Sequence, residues 1–136
     1  MSGLFGAIGI AGTGLTVNRK WLDAVSDNIA NINNVSSTSS DAFQARYIVA
    51  QAVDYGAGTE GVQVGGAVLS GKPEGRVVYQ PDHPLADENG NVRLPDIDLG
   101  DQMSQLIMAQ RAYQANLAVV DRAKDAYQSA LQLGRG

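Results

Sequence analysis

No cysteine occurs in the 136 residues, which excludes disulfides and thiolate metal sites. There is one histidine, and its local partners for a metal site are few. No apolar run approaches the roughly 20 residues of a membrane-spanning helix. The first residues lack a basic region followed by a pure apolar core, so no ordinary cleavable signal peptide is expected. Basic side chains form no patch large enough to suggest nucleic acid as a partner. No Ser–His–acid set, phosphate loop or paired-carboxylate motif stands out. His83 lies between Asp82 and Pro84 and reads as a turn residue. Asp87, Asn89 and Asn91 imitate the start of a calcium loop, but Val92 stands where such a loop needs glycine. The expectation is a non-enzyme with no cofactor, no metal and no small-molecule substrate.

What the chain does contain is an apolar stripe at each end. From the start it runs Leu4, Ile8, Ala11, Leu15, Asn18, Leu22, Val25, Ile29, Ile32. Towards the end it runs Leu99, Met103, Leu106, Gln110, Tyr113, Leu117, Val120, Lys124, Tyr127, Leu131. Alternating steps of four and three put these side chains on one narrow line of a helix, the pattern of a coiled-coil seam. Such lines cover each other or pack on neighbouring copies. If they pair within one chain the pairing must be antiparallel. Matching polar seam residues then predicts Asn18 opposite Gln110, with Val25 near Met103, Leu15 near Tyr113 and Lys124 near Leu4.

The middle is different. Residues 41–98 hold nine acids against four bases, while residues 1–40 are neutral and residues 99–136 carry a net +1. Near-neutral ends suit burial and an acidic middle suits solvent. Alternation over residues 43–53 predicts a strand, Val62 to Val68 a second and Arg76 to Tyr79 a third. Asn89-Gly90 predicts a hairpin tip before Val92. Pro95 precedes the last helix, with Asp96 or Asp98 as its N-cap. The fold expected is mainly α with a small β lobe: long N- and C-terminal helices forming a coiled coil, with an inserted β-rich segment. The division is residues 1–35 for the first helix, 36–98 for the lobe and 99–136 for the last helix.

Two local features point in separate directions. Gly3, Gly6, Gly9, Gly12 and Gly14 interrupt the first helical pattern, each costing roughly 1 kcal/mol against alanine. Gly3-Leu4-Phe5-Gly6-Ala7-Ile8 resembles the start of a viral fusion peptide, which makes a membrane-active protein the alternative function. Asn28 and Asn31 flank the first stripe and Asn116 the second. They are either solvated surface amides or buried ones that fix helix register, and the sequence leaves both open.

Leu22-Asp23-Ala24-Val25-Ser26-Asp27-Asn28-Ile29-Ala30-Asn31 resembles the N-terminal signature of flagellar rod and hook proteins. Gln110-Arg111-Ala112-Tyr113-Gln114-Ala115-Asn116 resembles their C-terminal signature. Tyr79 to Asp87, then Gly90 and Leu94 to Asp98, is similar to the C-type basal-body rod proteins of the proximal rod. The Ser-rich linker Asn34 to Ser40 and the Gly-rich start depart from that pattern. The resemblance implies a structural subunit exported through the flagellar type III apparatus and polymerised in the periplasm into a tube that transmits torque. Its partners would be copies of itself, other flagellar rod proteins and the export apparatus. The assembly surface would be Leu15, Leu22, Val25, Asn28, Ile29, Asn31, Leu106, Tyr113, Asn116, Leu117 and Val120.

Overall fold

The computed structural model describes residues 2–135, without the side chains of Ser2, Leu4 and Phe5. The expected contact of Lys124 with Leu4, and the aromatic of the fusion-like start, therefore lie outside the described residues. Helix α1 spans Ser2–Ala30 and helix α2 spans Leu99–Arg135. Between them come four strands, β1 Ala45–Asp54, β2 Glu60–Ser70, β3 Arg76–Tyr79 and β4 Asn91–Leu94. They form two separate antiparallel pairs, β1 with β2 and β3 with β4. The molecule is mainly α with a small β lobe.

Helix α1 stops at Ala30, short of the expected residue 35. The Asn31 side chain donates to the Asp27 carbonyl at 2.8 Å and the Ile32 N–H turns to Ile29 at 3.3 Å. An asparagine amide competing for the last carbonyls ends a helix, so Ile32 belongs to the turn. Helix α2 begins where expected. Asp98 caps it, its carboxylate accepting from the Asp101 N–H at 3.0 Å. Asp96, the other candidate, accepts instead from the Lys72 N–H at 3.2 Å.

The β1–β2 hairpin runs from Ala45 opposite Ser70 to Asp54 opposite Glu60. Its register shifts between Val49 and Ala50, where β2 fits in Gly65 as an extra residue. A bulge of this kind sharpens the local twist. Val49 is 44% exposed, while Ile48 and Ala50 line a hollow with Val17, Asn18 and Trp21.

In the second pair, Arg76 faces Leu94 and Tyr79 faces Asn91. Asn89-Gly90 is therefore not a hairpin tip. It closes the base of a longer loop, residues 80–90, where the Gln80 N–H donates to the Gly90 carbonyl at 2.8 Å. Gly90 has φ +79°, and a Cβ there would lie 2.7 Å from the Tyr79 ring. The loop is organised by Asp87. One of its oxygens accepts from the Asn89 and Asn91 N–H groups at 2.9 Å each. The other accepts from the Thr38 hydroxyl at 3.1 Å.

Helix α1 pairs antiparallel with α2. Gly14 lies against Asn116, Trp21 bonds Gln105 and Asn28 bonds Gln102. On α2 the covered positions are Gln102, Leu106, Ala109, Tyr113, Asn116, Val120, Ala123 and Tyr127, buried or half-buried. They keep the four-three rhythm, but every second member sits one residue before the expected one. Gln110 and Lys124 are exposed, so the expected pair Asn18 and Gln110 does not form. Met103 is likewise 45% exposed and does not cover Val25. The reason is pairing and fit: Gln102 is held inside by its bonds to Asn28 and Tyr47, Asn116 sits over Gly14, and Ala11, Ala109 and Ala123 let the two helices approach.

Two outcomes are expected in solution. Gly3, Gly6, Gly9 and Gly12 have nothing within 4 Å of where a side chain would stand and lower helix propensity, so the start of α1 is weakly held. Hydrogen exchange on the monomer should find amides 3–10 weakly protected and amides 18–28 strongly protected. Equal protection of both would show that the glycine segment needs no covering partner. The second outcome concerns acid. The carboxyl of Asp87 is held below its ordinary value of 3.8, chiefly by the Asn91 N–H and further by Thr38 and the Asn89 and Gly90 amides. A lowered carboxyl gives stability that is present at neutral pH and is lost as pH falls below 3.8 through the folded value. Protection of amides 89 and 91 should drop in that range, and Asp87→Ala should remove the pH response.

Candidate assembly interface

The three elements meet at one buried amide. Asn28 is fully buried and its side chain makes three hydrogen bonds. Its Nδ2 donates to the Arg46 carbonyl and to Gln102 Oε1, both at 3.0 Å. Its Oδ1 accepts from the Arg46 N–H at 2.8 Å. Gln102, 1% exposed, passes the chain on by donating from Nε2 to the Tyr47 hydroxyl at 3.0 Å. The amide thus locks α1, α2 and β1 at one height. A second tie lies further along α1. The Thr13 hydroxyl donates to the Ile10 carbonyl at 2.7 Å and accepts from the Val62 N–H at 3.1 Å. The hairpin is therefore laid along α1, held at Arg46 and at Val62.

The other candidate residues divide. Val25 and Val120 are buried. Leu15, Leu22, Ile29, Leu106, Tyr113 and Asn116 are half-buried. Asn116 fits over Gly14, where an added Cβ would lie 2.8 Å from its amide nitrogen. Asn31 caps α1 and does not enter the seam. Leu117 is 40% exposed and stands on the outer side of α2. Sequence reasoning missed Gln102, Trp21 and Gln105. The one available signal was that all three lie next to a counted stripe residue.

Outside the seam α2 keeps an uncovered apolar line. Leu99, Met103 and Ile107 follow at intervals of four, and Leu117 returns to the same side; they are 51, 45, 47 and 40% exposed. No helix is long and apolar enough to cross a membrane among the described residues. No group of three or more His, Asp or Glu side chains is placed to hold a metal ion among them. His83 accepts the Leu85 N–H at its Nδ1 at 3.0 Å, a turn contact.

The Asn28 junction is open to test. Asn28→Ala leaves the Gln102 carbonyl oxygen and both backbone groups of Arg46 without partners. It should lower stability by about 2–3 kcal/mol, measured by urea unfolding with Trp21, the one tryptophan, as probe. Combined with Gln102→Ala, the losses should fall short of additive by at least about 0.5 kcal/mol. An Asn28→Ala protein as stable as wild type would remove the junction from the account.

Comparison with known proteins converges on one group. Residues 88–133 match the family described as flagellar basal body rod FlgEFG protein C-terminal, a span that takes in β4 and most of α2. Over 128 residues the chain is 37% identical to the flagellar basal-body rod protein FlgC of Salmonella typhimurium, covering 93% of this chain and 94% of that one. The FlgC protein of Borreliella burgdorferi is 31% identical over 153 residues, covering 98% and 99%. That of Aquifex aeolicus is 30% identical over 128 residues, covering 94% and 95%. With identity at this level across nearly the full length of both chains, the protein belongs to the FlgC family of flagellar basal-body rod proteins, structural components of the rod.

Proposed function

We propose that this chain is a subunit of the proximal rod that polymerises through its terminal helices into a tube and passes motor torque to the parts beyond. The observation that supports the reading most is the apolar line Leu99, Met103, Ile107 and Leu117 on the outer side of α2. A helix of 37 residues that leaves a line of large apolar groups in water offers them to a neighbour. In the rod a second helix would cover that line and complete a coiled coil around α2. The parts act as the sequence divides them, with residues 1–35 and 99–136 as the packing core and residues 36–98 as a lobe on its flank. Leu106, Tyr113 and Leu117 then form the boundary between the inner seam and the outer contact.

The role is mechanical and uses no catalytic group or cofactor. Its partners are further copies, other rod proteins and the flagellar type III export apparatus. The membrane-active alternative gains no support from the relatives, which are rod proteins by name.

Deletion should abolish swimming and leave basal bodies without a rod. Leu117→Asp should do the same while the purified monomer keeps its unfolding midpoint, because the residue is 40% exposed before assembly. Substitutions at the exposed Glu60 and Glu88 should leave swimming intact. A swimming Leu117→Asp strain with normal rods would show that the outer line of α2 is not an interface.

A further inference from the structure

The outer line of α2 is one of two apolar faces that α1 leaves open. The second keeps the four-three rhythm through Met108, Ala112, Ala115, Val119, Arg122 and Ala126. Met108 and Val119 are each 48% exposed. Ala115, Arg122 and Ala126 are exposed and Ala112 is half-buried. At about 3.6 residues per turn, this face stands about 150° round the helix from Leu99, Met103, Ile107 and Leu117. The seam with α1 lies about 100° from each of them. Pairing with α1 alone needs one such stripe, and α2 carries three.

The two open faces differ in kind. On the first, Gln110 and Gln114 stand between Ile107 and Leu117, and Asp121 follows one turn beyond. All three are exposed. The apolar members of this face are bulky, and its one charge up to that point is the acid Asp121. The second face has alanine at its centre, and its one charge is the cation of Arg122. Two such helices laid side by side, parallel and level, match. Leu117 of one lies against Ala115 of the next, Ile107 against Met108, and Asp121 against Arg122. A large side chain meets a small one, and the acid meets the base.

Other pairings fail on the same residues. An antiparallel pair with Asp121 opposite Arg122 would send Ile107 beyond Arg135, the end of α2. Two first faces in parallel register would set Asp121 against Asp121, and two second faces Arg122 against Arg122. Like charges so placed repel.

We infer that the Met108–Ala126 face of α2 receives the Leu99–Asp121 face of α2 from a second copy of this chain, the two helices parallel and level. The contact joins unlike faces, so it closes no twofold dimer and repeats from copy to copy. The faces stand about 150° apart and not opposite, so the row of copies curves, as the wall of a tube must. The inference rests on the rod reading above and names the neighbour that covers the outer line of α2.

The chain has no cysteine, which makes disulfide trapping clean. Leu117→Cys and Ala115→Cys fall on nearly opposite sides of one helix and cannot join within a chain. In isolated basal bodies from a strain carrying both, mild oxidation should give a ladder of two, three and more linked copies. Each single variant should give no linked product. A product that stops at two copies, or any cross-link in a single variant, shows like faces meeting and overturns the inference. No cross-link, with the chain present in the rod, overturns it too. Charge reversal decides where the cysteine variant does not assemble. Asp121→Arg and Arg122→Asp should each cut swimming severalfold and leave the monomer's unfolding midpoint unchanged, since both side chains are exposed. The double variant should recover, because each new cation then faces a new acid on the next copy. Single variants that swim normally overturn the inference. So does a double variant that does not recover, which makes the occupant a different protein. Absence of the wild-type chain from basal bodies would overturn the rod reading itself, which separates the two failures.

Discussion

One carboxamide holds the arrangement together. Asn28 sits on α1, reaches across to Gln102 on α2 and pairs with both backbone groups of Arg46 on β1. A buried amide tolerates no slippage, because moving either helix by one residue leaves several polar groups without partners at roughly 1–3 kcal/mol each. Apolar contacts between Ala and Gly faces are, by contrast, almost indifferent to register. The heptad spacing brings the helices together, and Asn28 decides how they are aligned. The position of the hairpin follows, since Arg46 is fixed by the same group and Val62 is then in reach of Thr13.

The same seam explains where the bulky apolar groups went. The inner side mixes small residues with larger ones, Gly14 under Asn116 and Ala109 fully buried beside Gln102, Leu106 and Tyr113. Leu99, Met103, Ile107 and Leu117 stand outside. A helix pair that leaves these four side chains outside retains hydrophobic driving force for a further partner. Within the FlgC family, where the product is a rod and not a free monomer, that division is physically coherent.

Much of this was legible in the residues. The two helices, the third strand at Arg76–Tyr79 and the Asp98 cap follow from spacing and turn chemistry. The phase of the seam did not. Counting the most apolar residue at each step favours Met103 over Gln102 and Leu117 over Asn116. The true inner line is selected by close approach and by amide pairing, which a hydropathy pattern does not encode. The loop at residues 80–90 was misjudged for a related reason. Asn-Gly specifies a tight turn locally, yet Asp87 gathers the Asn89 and Asn91 amides and the Thr38 hydroxyl into a longer closure. Asn28 could be singled out from its place beside the stripe. Whether it was buried depended on Arg46, eighteen residues away.

The makeup of the core sets how stable the subunit is by itself. Apart from Pro95 and glycine, the buried apolar residues among those described are all Ala or Val. Fully burying a Leu, Ile or Met side chain is worth about 1.5–3 kcal/mol, and an Ala methyl contributes far less. A core of this kind stands close to the conformational entropy it must offset. Covering the four half-exposed residues on the outer line of α2 would add several kcal/mol, comparable to the whole stability of a small domain. Folding and assembly are then coupled. In the isolated chain the glycine-rich start of α1 is the least tightly covered part of the helix pair. A subunit built this way keeps apolar surface on α2 that a neighbour could bury.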